Sequence, residues 1–227
     1  EALAGAAAAR WSRERSRDRS PEREWVEFKW DGIRAIGTWD GRRLTLRARS
    51  GTDITARYPE LTAGDAGLGP APAVVDGEVV ALDAAGRPSF SRLQARMHLT
   101  RPHEIDREAR RTPVTLMLFD VLRYDDQDEA ARPLRERRRV LEHLAAHAVP
   151  AIVVPPVADD LGAALAAARE LHLEGVVVKD PGSPYRRGVR SDQWLKVKLS
   201  AMQDVVIGGI RPGRGGRTGS IGSLLLG

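Results

Sequence analysis

A lysine attacks phosphorus only after losing its proton, and with a free pKa near ~10.4 it is almost wholly protonated at neutral pH. Lys29 stands in the run Glu27-Phe28-Lys29-Trp30-Asp31-Gly32-Ile33-Arg34, ahead of an acid, a glycine and an arginine. Neighbouring cations or desolvation lower a lysine pKa and free the lone pair. Arg34, Lys196 and Lys198 are the cations the sequence offers for that task. Four later segments extend the chemistry: Ala48-Arg49-Ser50-Gly51, Asp76-Gly77-Glu78, Glu174-Gly175-Val176-Val177-Val178-Lys179 and Trp194-Leu195-Lys196-Val197-Lys198. On a strand, Asp76 and Glu78 share one face, and Gly77 lets a ligand or a backbone come close. Trp194, Lys196 and Lys198 share a face in the same way, opposite Leu195, Val197 and Leu199. Two lysines aimed together need an anion, and a triphosphate serves. The carboxylates of Glu78 and Glu174 are hard oxygen donors of the kind that suit Mg²⁺, which keeps most of its waters and bridges phosphates.

The elements that must position these residues are legible in outline. Ile33–Trp39 and Arg43–Arg49 flank Asp40-Gly41, a pair that favours a tight hairpin turn. Ala56–Leu61 reads as a short helix, and Ala73–Leu82 and Val114–Leu122 as strands. Pro133 to His147 is helical, with Leu134, Val140, Leu141 and Leu144 on one face. Asp159 or Asp160 can cap a second helix running to His172. Val176–Lys179, Trp194–Leu199, Asp204–Ile210 and Ile221–Leu226 are further strands. The expected fold class is α+β: antiparallel sheets with helices packed outside them. Residues 1–24 have little to bury and read as a flexible tail. His98 and His103 fall in what reads as a polar linker, and His143 and His147, four apart on a helix, lack a third ligand for zinc.

Composition narrows the setting. At 227 residues and 42% hydrophobic content the chain can fill a core, and no apolar run approaches the length of a membrane span. It contains no cysteine, which excludes disulfides and thiolate metal sites and fits a reducing, intracellular compartment. Net charge is +5 with a pI near 10.0. From Tyr185 onward eight basic residues face only Asp192 and Asp204, a net of +6, so the remainder is about neutral. A polyanion is drawn to that end.

In order and spacing, the five segments resemble the motif set of the covalent nucleotidyltransferases, the superfamily of ATP-dependent DNA ligases, RNA ligases and mRNA capping enzymes. Ser183-Pro184-Tyr185, Gly188 and Arg190-Ser191, leading into Trp194–Lys198, look most like small bacterial ligases of the repair and end-joining type. The chain is accordingly identified as a DNA ligase adenylation domain. The resemblance implies an ATP-grasp-like nucleotidyltransferase domain over residues 25–200 and the beginning of a truncated OB-fold over 201–227. It implies ATP as cofactor, AMP as the covalent intermediate on Lys29, and Mg²⁺ or Mn²⁺. Glu27 and the backbone of Phe28 would read the adenine amino group, Arg49 would hold the ribose, and Phe119 would stack on the purine. Arg34 and Lys179 would complete the nucleotide contacts, and Glu78 would act on the ribose hydroxyls or a metal-bound water. Glu174 would orient the metal beside Glu78, while Lys196 and Lys198 would neutralise the α-phosphate. Nicked double-stranded DNA is the implied partner, with repair or end-joining proteins beside it. A monomer in the bacterial cytoplasm, associated with the nucleoid, is the implied state.

Two departures stand out. Ala48 precedes Arg49 where the family has Ser-Arg, and nothing after Gly227 supplies the family's sixth motif. RNA ligase, capping-type nucleotidyltransferase and non-catalytic nucleic-acid-binding remnant are the competing readings.

Overall fold

The computed structural model describes residues 25–189, 191–199 and 205–227. The proposed tail, Arg190, Ser200 and Asp204 lie outside the described residues. Strands β1 (Trp25–Lys29), β2 (Ile33–Trp39), β3 (Leu44–Ala48) and β4 (Ala73–Ala81) open the chain, with a 3-10 turn at Thr55–Arg57 and the short helix α1 (Pro59–Thr62) between β3 and β4. Helices α2 (Phe90–Met97) and α3 (Pro102–Arg111) lead into β5 (Val114–Tyr124), β6 (Gln127–Asp128) and α4 (Leu134–Leu144). Then come β7 (Ile152–Val153), α5 (Leu161–Glu170), β8 (Gly175–Lys179), β9 (Trp194–Lys198), β10 (Ile207–Pro212) and β11 (Ile221–Leu226).

The strands form three sheets. The largest has the order β3-β2-β4-β5-β6, with β7 also paired to β5; a second has the order β1-β8-β9; β10 and β11 pair alone. The expected antiparallel pairing holds except at β5 and β7, which run parallel. Asp40 organises the β2–β3 turn by accepting from the backbone N–H groups of Arg42 and Arg43 at 2.8 and 2.7 Å. The helix expected over Ala56–Leu61 is broken at Tyr58, where Pro59 starts the α-helical turn after the 3-10 segment. The stretch containing His98 and His103 is not a linker: it holds α2 and α3, which bury Leu93 and Ile105. Asp160 is the residue that caps α5, accepting from Ala163 N–H at 3.0 Å.

Alternation then divides each sheet into an apolar and a polar face. On the large sheet Trp39, Leu44, Leu46, Val75, Val79 and Leu116 turn to a core closed by Leu93, Leu141 and Leu144 from the helices. Arg34, Asp76 and Glu78 point the other way, and Arg34 lies directly opposite Glu78 in the β2–β4 register. Gly77 does admit a close neighbour, the β5 backbone: a Cβ there would stand 2.7 Å from the Met117 carbonyl oxygen. Gly32 is tighter still, with the Val79 carbonyl oxygen 2.2 Å from where a Cβ would be. On the small sheet Val26, Val176, Val178 and Val197 pack against Ala164, Ala168 and Leu173, with Phe28 beside them. That leaves Glu27, Lys29, Lys179, Lys196 and Lys198 on the opposite face.

Candidate active site

The two polar faces share one wall of residues. Lys29 ends β1 opposite Gly175, and Gly175 in turn pairs with Lys198. Gly175 lets the β9 backbone come close, since a Cβ there would stand 2.1 Å from the Val197 carbonyl oxygen. Glu174 forms an ion pair with Lys29 and accepts from Lys198 Nζ at 2.8 Å. Burial raises the Glu174 carboxyl, but hydrogen bonds from Lys198 and Lys29 outweigh it and hold the group below its ordinary range. Lys196 shifts downward for the opposite reasons: burial first, then the charges of Lys29 and Arg34. The cations named from the sequence therefore do gather around Lys29.

Glu78 belongs to the same cluster. Burial pushes its carboxyl up to about 7, against the pull of Lys29 and Arg34. Arg34 itself is gripped by Asp76, with Nε donating at 2.9 Å and Nη2 at 2.5 Å. Tyr185 locks this pair. Its hydroxyl donates to Asp76 Oδ2 at 2.6 Å and accepts from Arg34 Nη2 at 2.7 Å. Burial, followed by the Asp76 charge, holds the phenol well above its usual range.

A bulge in β5 supplies the rest. Gly77 pairs with Leu118 but Asp76 pairs with Asp120, so Phe119 is the additional residue. Such an insertion lets two consecutive side chains leave on one side of the sheet. The Phe119 ring lies 5.2 Å from Lys179 Nζ and 5.9 Å from the Arg34 guanidinium carbon. Asp120 is buried and held bidentately by Arg137 of α4, both bonds at 2.7 Å. Arg137 also donates to the Ser183 carbonyl at 2.9 Å, tying α4 to the segment that carries Tyr185. Lys179 is buried, donates to Glu27 Oε2 at 2.6 Å and stands 4.3 Å over the Trp194 ring.

Of the residues named from the sequence, Lys29, Glu78, Glu174, Arg34, Lys196 and Lys198 come together, and Glu27, Phe119 and Lys179 form an adjoining group. The Phe28 side chain faces the apolar core, 6.2 Å from Trp30. Arg49 lies exposed in the turn after β3 and joins none of these contacts among the described residues. Asp76, Asp120, Arg137 and Tyr185 were not given roles at this site, although Asp76 shared a face with Glu78 and Tyr185 fell in the Ser183-Pro184-Tyr185 segment of the resemblance. Among the described residues no group of three or more His, Cys, Asp or Glu forms a metal cage, and no helix is long and apolar enough to cross a membrane.

The sequence profile described as ATP dependent DNA ligase domain matches residues 6–198, most of the chain. The chain belongs to the ATP-dependent DNA ligase domain family. This membership favours the DNA ligase reading over the RNA ligase and capping ones. The chain is 39% identical over 207 residues to the multifunctional non-homologous end joining protein LigD of Mycolicibacterium smegmatis, covering 90% of this chain and 25% of that protein. It is 38% identical over 210 residues to a probable DNA ligase of Streptomyces griseus, covering 89% of this chain and 41% of the relative. A solved structure of mycobacterial DNA ligase D complexed with ATP and MES superposes with a TM-score of 0.69 at 36% identity, covering 90% of this chain and 62% of that one. The chain thus spans about a quarter of the LigD relative's length and about two fifths of the probable DNA ligase. The shared ligase-domain fold accounts for the α+β class.

Proposed function

We propose that this chain charges Lys29 with AMP from ATP and passes the AMP to the 5′-phosphate of nicked duplex DNA. The observation that carries the proposal is the gathering of Lys29, Lys196, Lys198, Glu78 and Glu174 between two polar sheet faces in a ligase-domain chain. In the first transfer the Lys29 Nζ lone pair forms a P–N bond at the α-phosphorus. The bond to the pyrophosphate oxygen breaks, and the ammonium proton passes to solvent. Lys196 and Lys198 face the phosphate oxygens on which charge builds. In the second transfer a 5′-phosphate oxygen displaces Lys29; in the third a 3′-hydroxyl oxygen displaces AMP and the strand is sealed. Glu27 reads the base amino group, Phe119 stacks on the purine, Arg34 and Lys179 complete the nucleotide contacts, and Arg49 holds the ribose.

A divalent ion fits the donor set as a partner of the triphosphate rather than as a caged metal. Glu78 and Glu174 offer two hard carboxylates, the number with which Mg²⁺ commonly binds alongside phosphates and its own waters. Such an ion would neutralise phosphate charge. Glu174 is engaged with Lys29 and Lys198, so holding a metal requires that it share or exchange these partners. Repair by end joining, in a bacterial cytoplasm and as a monomer, is the setting we assign to this activity.

Intact-mass spectrometry before and after incubation with ATP and Mg²⁺ tests the proposal. An added AMP that maps to Lys29 is expected and is lost in Lys29→Ala. No adduct, or an adduct on another residue in Lys29→Ala, overturns it.

A further inference from the structure

Two neighbouring arginines on α4 are both buried yet differently employed. Arg137 is fully engaged, with Asp120 and the Ser183 carbonyl among its partners. Arg138 is 5% exposed; its Nε donates to Glu142 Oε1 at 2.7 Å and its Nη2 donates to the Pro155 carbonyl. Its Nη1 makes no hydrogen bond, although it is fully buried. Buried guanidinium donors left without partners are costly and uncommon, so each calls for a physical reason. A second carboxylate supplies the reason here: Nη1 stands 3.9 Å from Glu27 Oε1.

Glu27 is thereby held from two sides. Lys179 takes Oε2, while Arg138 approaches Oε1 without closing a hydrogen bond on it. One carboxylate oxygen stays available as an acceptor, and the two cations on either side of the group fix its direction. A fixed anionic acceptor suits the exocyclic amine of adenine, which donates. Guanine presents a carbonyl oxygen at the same ring position, and lone pairs would then oppose lone pairs.

We infer that Arg138 is a positioning residue for base specificity, aiming Glu27 Oε1 at the 6-amino group of ATP. The inference rests on the proposed reading of Glu27 as the base-contacting residue. Arg138 lies on a helix outside all five motif segments, and it reaches the base only through Glu27.

The test compares covalent labelling by ATP with labelling by purine riboside triphosphate, which lacks the 6-amino group, as a ratio of kcat/KM values. Arg138→Met is expected to shrink the preference for ATP about tenfold, because a charge-assisted hydrogen bond loses its alignment. The loss should fall on KM for ATP, with kcat nearly unchanged. Arg138→Lys keeps a cation but not the planar fork, and a smaller loss of preference is expected. It also serves as the readout if Arg138→Met does not fold. A purely structural arginine would slow both nucleotides equally, so a native preference in either folded variant overturns the inference. Glu27→Ala distinguishes the two levels of the argument. Lost preference there with none in the Arg138 variants removes only the role of Arg138, whereas native preference in Glu27→Ala removes Glu27 as the base reader.

Discussion

Tyr185 is the residue through which the two sheets agree on where Arg34 points. Its hydroxyl lies between Asp76 and Arg34, and its ring packs edge-on to Trp194 at 6.0 Å. Tyr185→Phe should cost about 1–3 kcal/mol at neutral pH, because buried Asp76 loses a donor. The difference carries a pH signature. An unfolded tyrosine releases its proton near about pH 10, while the folded one, held higher, keeps it. Above that pH the folded state binds more protons than the unfolded state, so stability falls as pH rises. The advantage of the native chain over Tyr185→Phe is therefore full below about pH 10 and shrinks above it. Urea titrations of both proteins at about pH 8 and about pH 10.5 read this directly, and an unchanged gap contradicts the placement. Lys29 behaves differently. Lys198 still neutralises Glu174 when Lys29 is gone, so Lys29→Ala should change stability by no more than about 0.5 kcal/mol while abolishing the AMP adduct.

At the scale of elements, α4 holds the site by its buried face. Arg137 and Asp120 are both wholly inaccessible, and removing the arginine strands a carboxylate in the interior. Arg137→Ala should destabilise by about 3–5 kcal/mol and loosen the Ser183–Tyr185 segment with it; a denaturation midpoint near the native one would refute this. Neither Arg137 nor Tyr185 was found as a site residue from sequence, for a plain reason. Arg137 meets Asp120 across 17 positions and Ser183 across 46, and Tyr185 meets Asp76 across 109. No local period encodes such pairs. By contrast β2, β4, β8 and β9 were legible because alternation is local, and it correctly put Glu78, Lys196 and Lys198 on the polar faces. Helix α3 escaped notice because few apolar residues mark it, with only Ile105 buried among ten residues, and α2 because its eight residues give the Phe90, Leu93 and Met97 stripe only about two turns. The β5 bulge was invisible as well, since an added residue shows only against its partner strand.

For the molecule as a whole, basic residues gather after Tyr185. Arg186 and Arg187 are exposed, and the Arg187–Asp128 pair at 3.2 Å is open to solvent, where salt weakens it. Affinity for nicked DNA should fall steeply with salt as counterions are released. Reversing Arg186 and Arg187 together should reduce the slope of log affinity against log salt by about two while leaving self-adenylation intact. Salt titrations by fluorescence anisotropy measure this, and an unaltered slope would place the DNA elsewhere. The small sheet has a consequence for the gene as well. Its function depends on parity: odd residues of β1 and even residues of β9 bear the charged groups, and their neighbours fill the apolar interior. One added codon within either strand exchanges the two sets beyond it, burying lysines and exposing valines. Two added codons restore the parity and shift the pairing without inverting it. A library of in-frame insertions across β1 and β9 should therefore retain folded protein more often from codon pairs than from single codons.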